Sequence, residues 1–139
     1  MLCMPDEFNR VVLVEDDADF AEVYRLRLEQ DGYQVTVAWD GNDGLELVRR
    51  TVPDLVYLDL RMPTLDGISL LRALRSDPST RAIAVVVLSN YDEPELRRQG
   101  LELGALDWLV KANVTPAELA RRTWDWIRAE EQLAAERAD

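Results

Sequence analysis

The sequence contains no histidine. That absence removes imidazole acid–base catalysis, the common nucleophile–histidine pairs, histidine metal ligation and any phosphohistidine step within this chain. Cysteine is nearly absent. The one thiol, Cys3, permits no internal disulfide, reads as an incidental terminal group, and lends weak support to a cytoplasmic home. Lysine is as scarce: Lys111 is the only one among sixteen basic residues, the other fifteen being arginine. Against so strong a preference for arginine, Lys111 marks a position where an ammonium is wanted as such. No apolar run approaches the ~20 residues that span a bilayer, and no signal-peptide pattern opens the chain. The formal net charge of −11 argues against a direct electrostatic grip on nucleic acid or on an anionic membrane.

What is present fits one globular domain. At 139 residues and 47% hydrophobic content, the chain can build a core without disulfides or a structural metal. Residues 1–9 read as a leader, 10–128 as the domain, and 129–139 as a C-terminal helical extension.

Apolar runs at Val11–Val14, Leu55–Leu58 and Ala84–Leu88 read as strands buried on both faces, with a shorter fifth strand at 106–110. Residues 33–39 alternate Tyr/Val/Val/Trp with Gln/Thr/Ala, the pattern of a strand with one polar face near a sheet edge. Helical patterns fill the gaps. Asp17 is placed to cap the first helix, which runs to Glu29 with Phe20, Val23, Tyr24 and Leu28 inward, and Gly32 ends it. Residues 43–51 form the second helix; Ile68, Leu70, Leu71 and Leu74 mark the third, stopped by Asp77-Pro78. The fourth starts at Asp92–Pro94 and closes at Gly104. Thr115-Pro116-Ala117-Glu118 is a capping box that opens the last helix. That helix carries Trp124, Trp126 and Ile127 into a tail expected to fray; two residues apart, the tryptophans cannot share a face, so at least one is expected to be exposed or at a contact, and packing against the sheet and the tail is the favoured reading. Strand and helix alternate five times, which predicts an α/β fold: a doubly wound parallel sheet covered on both faces with right-handed crossovers.

In such an array the carboxyl ends of the strands gather at one edge, where function sits. Glu15-Asp16 follow the first strand, Asp59 closes the third, Ser89 the fourth, and Lys111 follows the fifth. Three carboxylates at ~4 Å repel by about 4 kcal/mol per pair at an effective dielectric near 20, so the cluster calls for a cation that one lysine cannot replace. Oxygen ligands without His or Cys suit Mg²⁺, which shares its shell with waters and phosphates. A carboxylate beside that metal can attack a phosphoryl group and form an acyl phosphate, with Ser89 donating a hydrogen bond and Lys111 its charge.

These residues resemble the receiver domain of bacterial two-component response regulators. The resemblance covers residues 10–128 and rests on Val-Leu-Val-Glu-Asp-Asp at 12–17, Leu-Asp-Leu-Arg-Met-Pro-Thr-Leu-Asp-Gly at 58–67, Val-Leu-Ser at 87–89 and Gly-Ala-Leu-Asp-Trp-Leu-Val-Lys at 104–111. It implies a flavodoxin-like five-stranded sheet of order 2-1-3-4-5. It implies Asp59 as the phosphoacceptor of a partner histidine kinase or phosphotransfer protein. Glu15, Asp16 and Asp59, with the Arg61 backbone carbonyl, become the Mg²⁺ ligands. Ser89 and Trp108 become the switch residues, and Lys111 the lysine that meets the phosphoryl group. The domain would catalyse only its own phosphorylation and dephosphorylation. Its fourth helix, fifth strand and fifth helix would form the face that binds a downstream protein target or a second copy. Two positions depart from the family: Ala112 follows the lysine where a cis-bonded proline is usual, so a trans bond is expected there, and Asn90 replaces a small residue.

Three other functions compete. A phosphatase of the haloacid-dehalogenase type also uses a strand-end Asp nucleophile with Mg²⁺, but wants an acid two residues on, where Arg61 stands. A receiver fragment of a longer transcription regulator and a receiver that never accepts phosphate are the others; the complete set of acids, Asp59, Ser89 and Lys111 argues against the last.

Overall fold

The structure is a computed structural model that describes residues 9–138; Cys3 and nearly all of the 1–9 leader lie outside it. Five parallel strands, β1 (Arg10–Val14), β2 (Gln34–Ala38), β3 (Leu55–Asp59), β4 (Ala84–Ser89) and β5 (Asp107–Val110), form one sheet in the order β2-β1-β3-β4-β5. Between and after them run α1 (Ala18–Gln30), α2 (Gly41–Thr51), α3 (Gly67–Ser76), α4 (Pro94–Glu102) and α5 (Pro116–Ala138). No described helix is long and apolar enough to cross a membrane.

Alternation along the central strands builds two cores. Val12, Val14, Val56, Leu58, Val85 and Val87 point to one side, where Leu47, Val48, Leu70, Leu71 and Leu74 of α2 and α3 cover them. Val11, Leu13, Leu55, Tyr57, Val86 and Leu88 point to the other, against Ala21, Tyr24 and Leu28 of α1 and Leu119, Ala120 and Ile127 of α5. Each fully buried branched side chain contributes about 1.5–3 kcal/mol of transfer free energy, so the three inner strands dominate the driving force. The edge position of β2 matches its polar face, with exposed Gln34 and Thr36.

Helix ends follow the sequence signals. Asp17 accepts from the Asp19 and Phe20 amides, Asp40 from Asp43, and Asp66 from Ser69. The Glu118 amide donates to Thr115 Oγ1 at 3.0 Å, one half of a capping box, while the Glu118 carboxylate turns to Arg122 instead of closing the other half. Gly32 and Gly104 follow their helices at φ +100° and +83°. Two expectations are corrected. Val23 of α1 is about half exposed, because Ala21 takes the inward place and turns residue 23 to solvent. The tail, expected to fray, is helical to Ala138 among the described residues. As the two-residue spacing requires, one of the two tryptophans is exposed: Trp124 is half exposed, stacked under Arg128, while Trp126 lies half-buried edge-on to Tyr57.

The Arg75 guanidinium was not singled out in the sequence, yet it ties three segments together. It donates to the carbonyls of Leu103 (2.7 Å) and Gly104 (3.2 Å) after α4, and to Arg81 (3.0 Å) and Ile83 (2.8 Å) before β4. The entry of β4 and the exit of α4 are thereby fixed to α3.

Gly67 sets how closely α3 approaches the end of β3. Its amide donates to the Leu60 carbonyl at 2.8 Å, and a Cβ there would lie 2.5 Å from the Asp59 carbonyl oxygen and 2.9 Å from Leu60 Cα. Backbone cannot yield as a side chain can, so Gly67→Ala is expected to destabilise by about 2–3 kcal/mol. Urea unfolding checks this, and a midpoint equal to wild type would contradict it.

Candidate functional site

Parallel register brings the expected residues to one edge. Val14 pairs with Leu58, Asp59 with Leu88, and Ser89 with Val110, so the residues that follow β1, end β3 and β4 and follow β5 arrive at about the same height. Glu15, Asp16 and Asp59 converge: one carboxylate oxygen of each lies within 4.8 Å of the others. Glu15 is fully buried and Asp59 nearly so, whereas Asp16 faces solvent.

Lys111 closes the cluster. Its Nζ is 2.7 Å from Glu15 Oε1 and 3.4 Å from Asp59 Oδ1, with the side chain itself almost buried. The second Glu15 oxygen accepts from the Asp17 amide at 3.1 Å. One ammonium therefore pairs with two of the three carboxylates, leaving the cluster with an excess of negative charge. Burial, then the Glu15 charge, push the Asp59 carboxyl up from 3.8 to about 7, and the Lys111 charge opposes them. Three hard oxygen donors, one of them open to solvent, fit Mg²⁺ with part of its water shell retained.

Ser89 reaches the same edge but its hydroxyl is engaged elsewhere. Oγ donates to the Tyr91 carbonyl at 2.6 Å and accepts from the Tyr91 amide at 3.2 Å. Trp108 of β5 is buried with its ring on Gly100 of α4, and its indole N–H has no acceptor among the described residues. Arg61 extends its guanidinium to Glu93 at the start of α4, so no second acid stands where a dehalogenase-type phosphatase would need one. The Lys111–Ala112 peptide bond is trans, as Ala112 led one to expect, and the chain continues through a single 3-10 turn, Lys111–Asn113. Asn90 is exposed beside Ser89.

Two contributors escaped the sequence reading. Phe20 was read only as an inward helix position, yet its ring lies under Lys111 Nζ, 4.6 Å from the centroid. Thr64, at φ +68° in the loop after β3, bonds both the Asn42 amide (3.1 Å) and Asp40 (3.2 Å), docking the start of α2 onto that loop. A threonine after a proline carries no signal of either role.

Residues 11–123 match the response regulator receiver domain family, and the chain belongs to it. It is 38% identical over 102 residues to the response regulator PleD of Caulobacter vibrioides, which covers 73% of this chain and 22% of that protein. It is 37% identical over 114 residues to the "Probable transcriptional regulator ycf27" of Guillardia theta, covering 82% and 43%. This chain thus spans less than half the length of either. Among solved structures, the Francisella response regulator 1452 receiver domain superposes with a TM-score of 0.79 at 33% identity, covering 87% of this chain and 98% of that one. The chain is therefore a receiver domain of a two-component response regulator.

A raised Asp59 pKa has a definite sign for stability. Between about 3.8 and 7 the folded protein binds a proton that the unfolded chain has released, so this carboxyl's contribution is present at low pH and lost as pH rises through 7. Asp59→Asn removes the penalty, while Lys111 keeps Glu15 as its partner. The metal-free variant should gain about 3–8 °C more in Tm over wild type at pH 8 than at pH 5. Calorimetry at the two pH values checks it; an equal or larger gain at pH 5 would contradict the assignment.

Proposed function

We propose that this receiver domain takes a phosphoryl group on Asp59 from a histidine kinase or phosphotransfer protein, in a Mg²⁺-dependent reaction, and so controls binding of a partner. The observation that carries the reading is three carboxylates within 4.8 Å around one nearly buried ammonium. Such a cluster is costly for a fold and useful for phosphoryl chemistry.

In this reading Glu15, Asp16, Asp59 and the Arg61 main-chain carbonyl hold the metal. Mg²⁺ supplies charge neutralisation at the phosphoryl oxygens. The Asp59 carboxylate attacks phosphorus, the bond to the donor imidazole nitrogen breaks, and the imidazole takes up a proton as it departs. Lys111, 3.4 Å from the Asp59 carboxylate, meets the new charge with little movement.

Ser89 must exchange its bonds to Tyr91 for one to the phosphoryl oxygen, which pulls on the loop into α4. Trp108 has its own reason to move: an unpaired buried N–H costs roughly 1–3 kcal/mol, so its seat against Gly100 is not secure. Two charge-assisted bonds to the phosphoryl group contribute about 1.5–3 kcal/mol each, against the ~5.5 kcal/mol that carries a population from 1:99 to 99:1. The switch is then substantial and falls on α4, β5 and α5, the face proposed to bind a downstream protein or a second copy.

Asp59→Asn should keep the fold and lose labelling by acetyl phosphate with Mg²⁺, read as a phosphoryl adduct by intact mass in wild type only. Equal labelling of the variant would move the acceptor elsewhere. Beryllofluoride should change hydrogen exchange mainly in α4, β5 and α5; changes confined to α1 and α2 would contradict the switch.

A further inference from the structure

Lys111 is held by an aromatic ring as well as by acids. Besides its contacts with Glu15 and Asp59, its ammonium lies 4.6 Å from the centroid of the Phe20 ring. Phe20 belongs to the first turns of α1 and stacks on Tyr24 one turn further on, with centroids 4.2 Å apart and planes 23° from parallel. The Tyr24 hydroxyl in turn donates to the Val114 carbonyl at 2.6 Å in a buried position. The two rings thus grip both ends of the segment that carries the cation. Between those ends the chain has little other support: one 3-10 turn closed by the Val114 amide on the Lys111 carbonyl at 3.4 Å, with Ala112 and Asn113 exposed.

The acids alone are a poor anchor. Two carboxylates compete for the ammonium, and their pull changes whenever one of them is protonated, binds a cation or is modified. The face of an aromatic ring carries a quadrupole that none of those events alters. A cation resting on it keeps its place while the charges beside it change.

We propose that Phe20, backed by Tyr24, is a positioning residue for Lys111, keeping the ammonium at the Asp59 carboxylate through the phosphorylation cycle. The proposal rests on the reading of Lys111 as the group that meets the phosphoryl oxygen. It makes α1 a support of the site's chemistry as well as a layer of the fold.

Lys111 is the only lysine, so protein grown with ¹³C-lysine gives a single ε-methylene resonance. In wild type and in Phe20→Tyr that resonance is expected upfield of free lysine through the ring current, and Phe20→Leu should return it toward the free position. Phe20→Leu should slow phosphorylation by acetyl phosphate about three- to tenfold, the size of a half-buried cation–π contact, while melting within a few degrees of wild type. Phe20→Tyr, which keeps the ring, should stay within twofold of wild type. The proposal is overturned if Phe20→Leu reacts at the wild-type rate, if it slows with the lysine resonance unmoved, or if Phe20→Tyr is equally slow. Should Lys111→Ala itself be phosphorylated as fast as wild type, the role of Lys111 fails and the positioning role with it; a shifted lysine resonance would then mark the ring contact as packing alone.

Discussion

Charge at the carboxyl edge of the sheet does not balance. Glu15, Asp16 and Asp59 stand within reach of one another and a single ammonium answers them. Electrostatics in a buried setting punishes such an excess, and the raised Asp59 pKa is one measure of it. Two ways of relieving the excess are open to this fold: a proton on Asp59 or a bound cation. The second leaves Asp59 ionised and nucleophilic. The rest of the molecule can be understood as the apparatus that keeps this imbalance in place.

The scaffold does so by crowding backbone. The apolar runs of β1, β3 and β4 leave the acids no route back into the core, and the register sets their heights. Gly67 lets α3 start against the Asp59 carbonyl, and Thr64 ties the same loop to α2. Arg75 anchors the far end of α4 to α3 and to the entry of β4. With that end fixed, a pull on Ser89 is felt at the near end of α4, beside Glu93. The proposed switch therefore has a fixed pivot and a free end.

The strands and the acids at their ends were legible because they rest on short-range rules, while the strand order came only with the family resemblance. Unbroken runs of Val and Leu mark strands buried on both sides, and polar residues directly after them must emerge at one edge. Asp17 and Thr115 announced their caps by residue type alone. What stayed hidden depends on tertiary geometry. Val23 was misplaced because one helix face can be read in more than one phase, and only docking on the sheet selects Ala21 as the inward residue. The spacing of Trp124 and Trp126 showed that one of them must be exposed but not which; docking of α5 selects Trp124, and Arg128 covers it. Arg75 reaches Leu103 and Gly104 in a separate segment and Phe20 reaches Lys111 across the fold, contacts that no local pattern records. Ser89 is the instructive case: its position was evident, but its hydroxyl bonds to Tyr91 instead of pointing free at the site.

The central claim is that the acid cluster is built to receive a cation, and thermal unfolding with and without Mg²⁺ tests it most directly. Millimolar Mg²⁺ should raise the melting temperature of the wild type by several degrees, because a ligand that binds only the folded state stabilises it. Asp16→Ala should lose most of that rise and yet melt no lower than wild type without metal, since one of three crowded charges has gone. A wild type whose melting temperature is unmoved by Mg²⁺, or an Asp16→Ala variant that gains as much as wild type, would contradict the account.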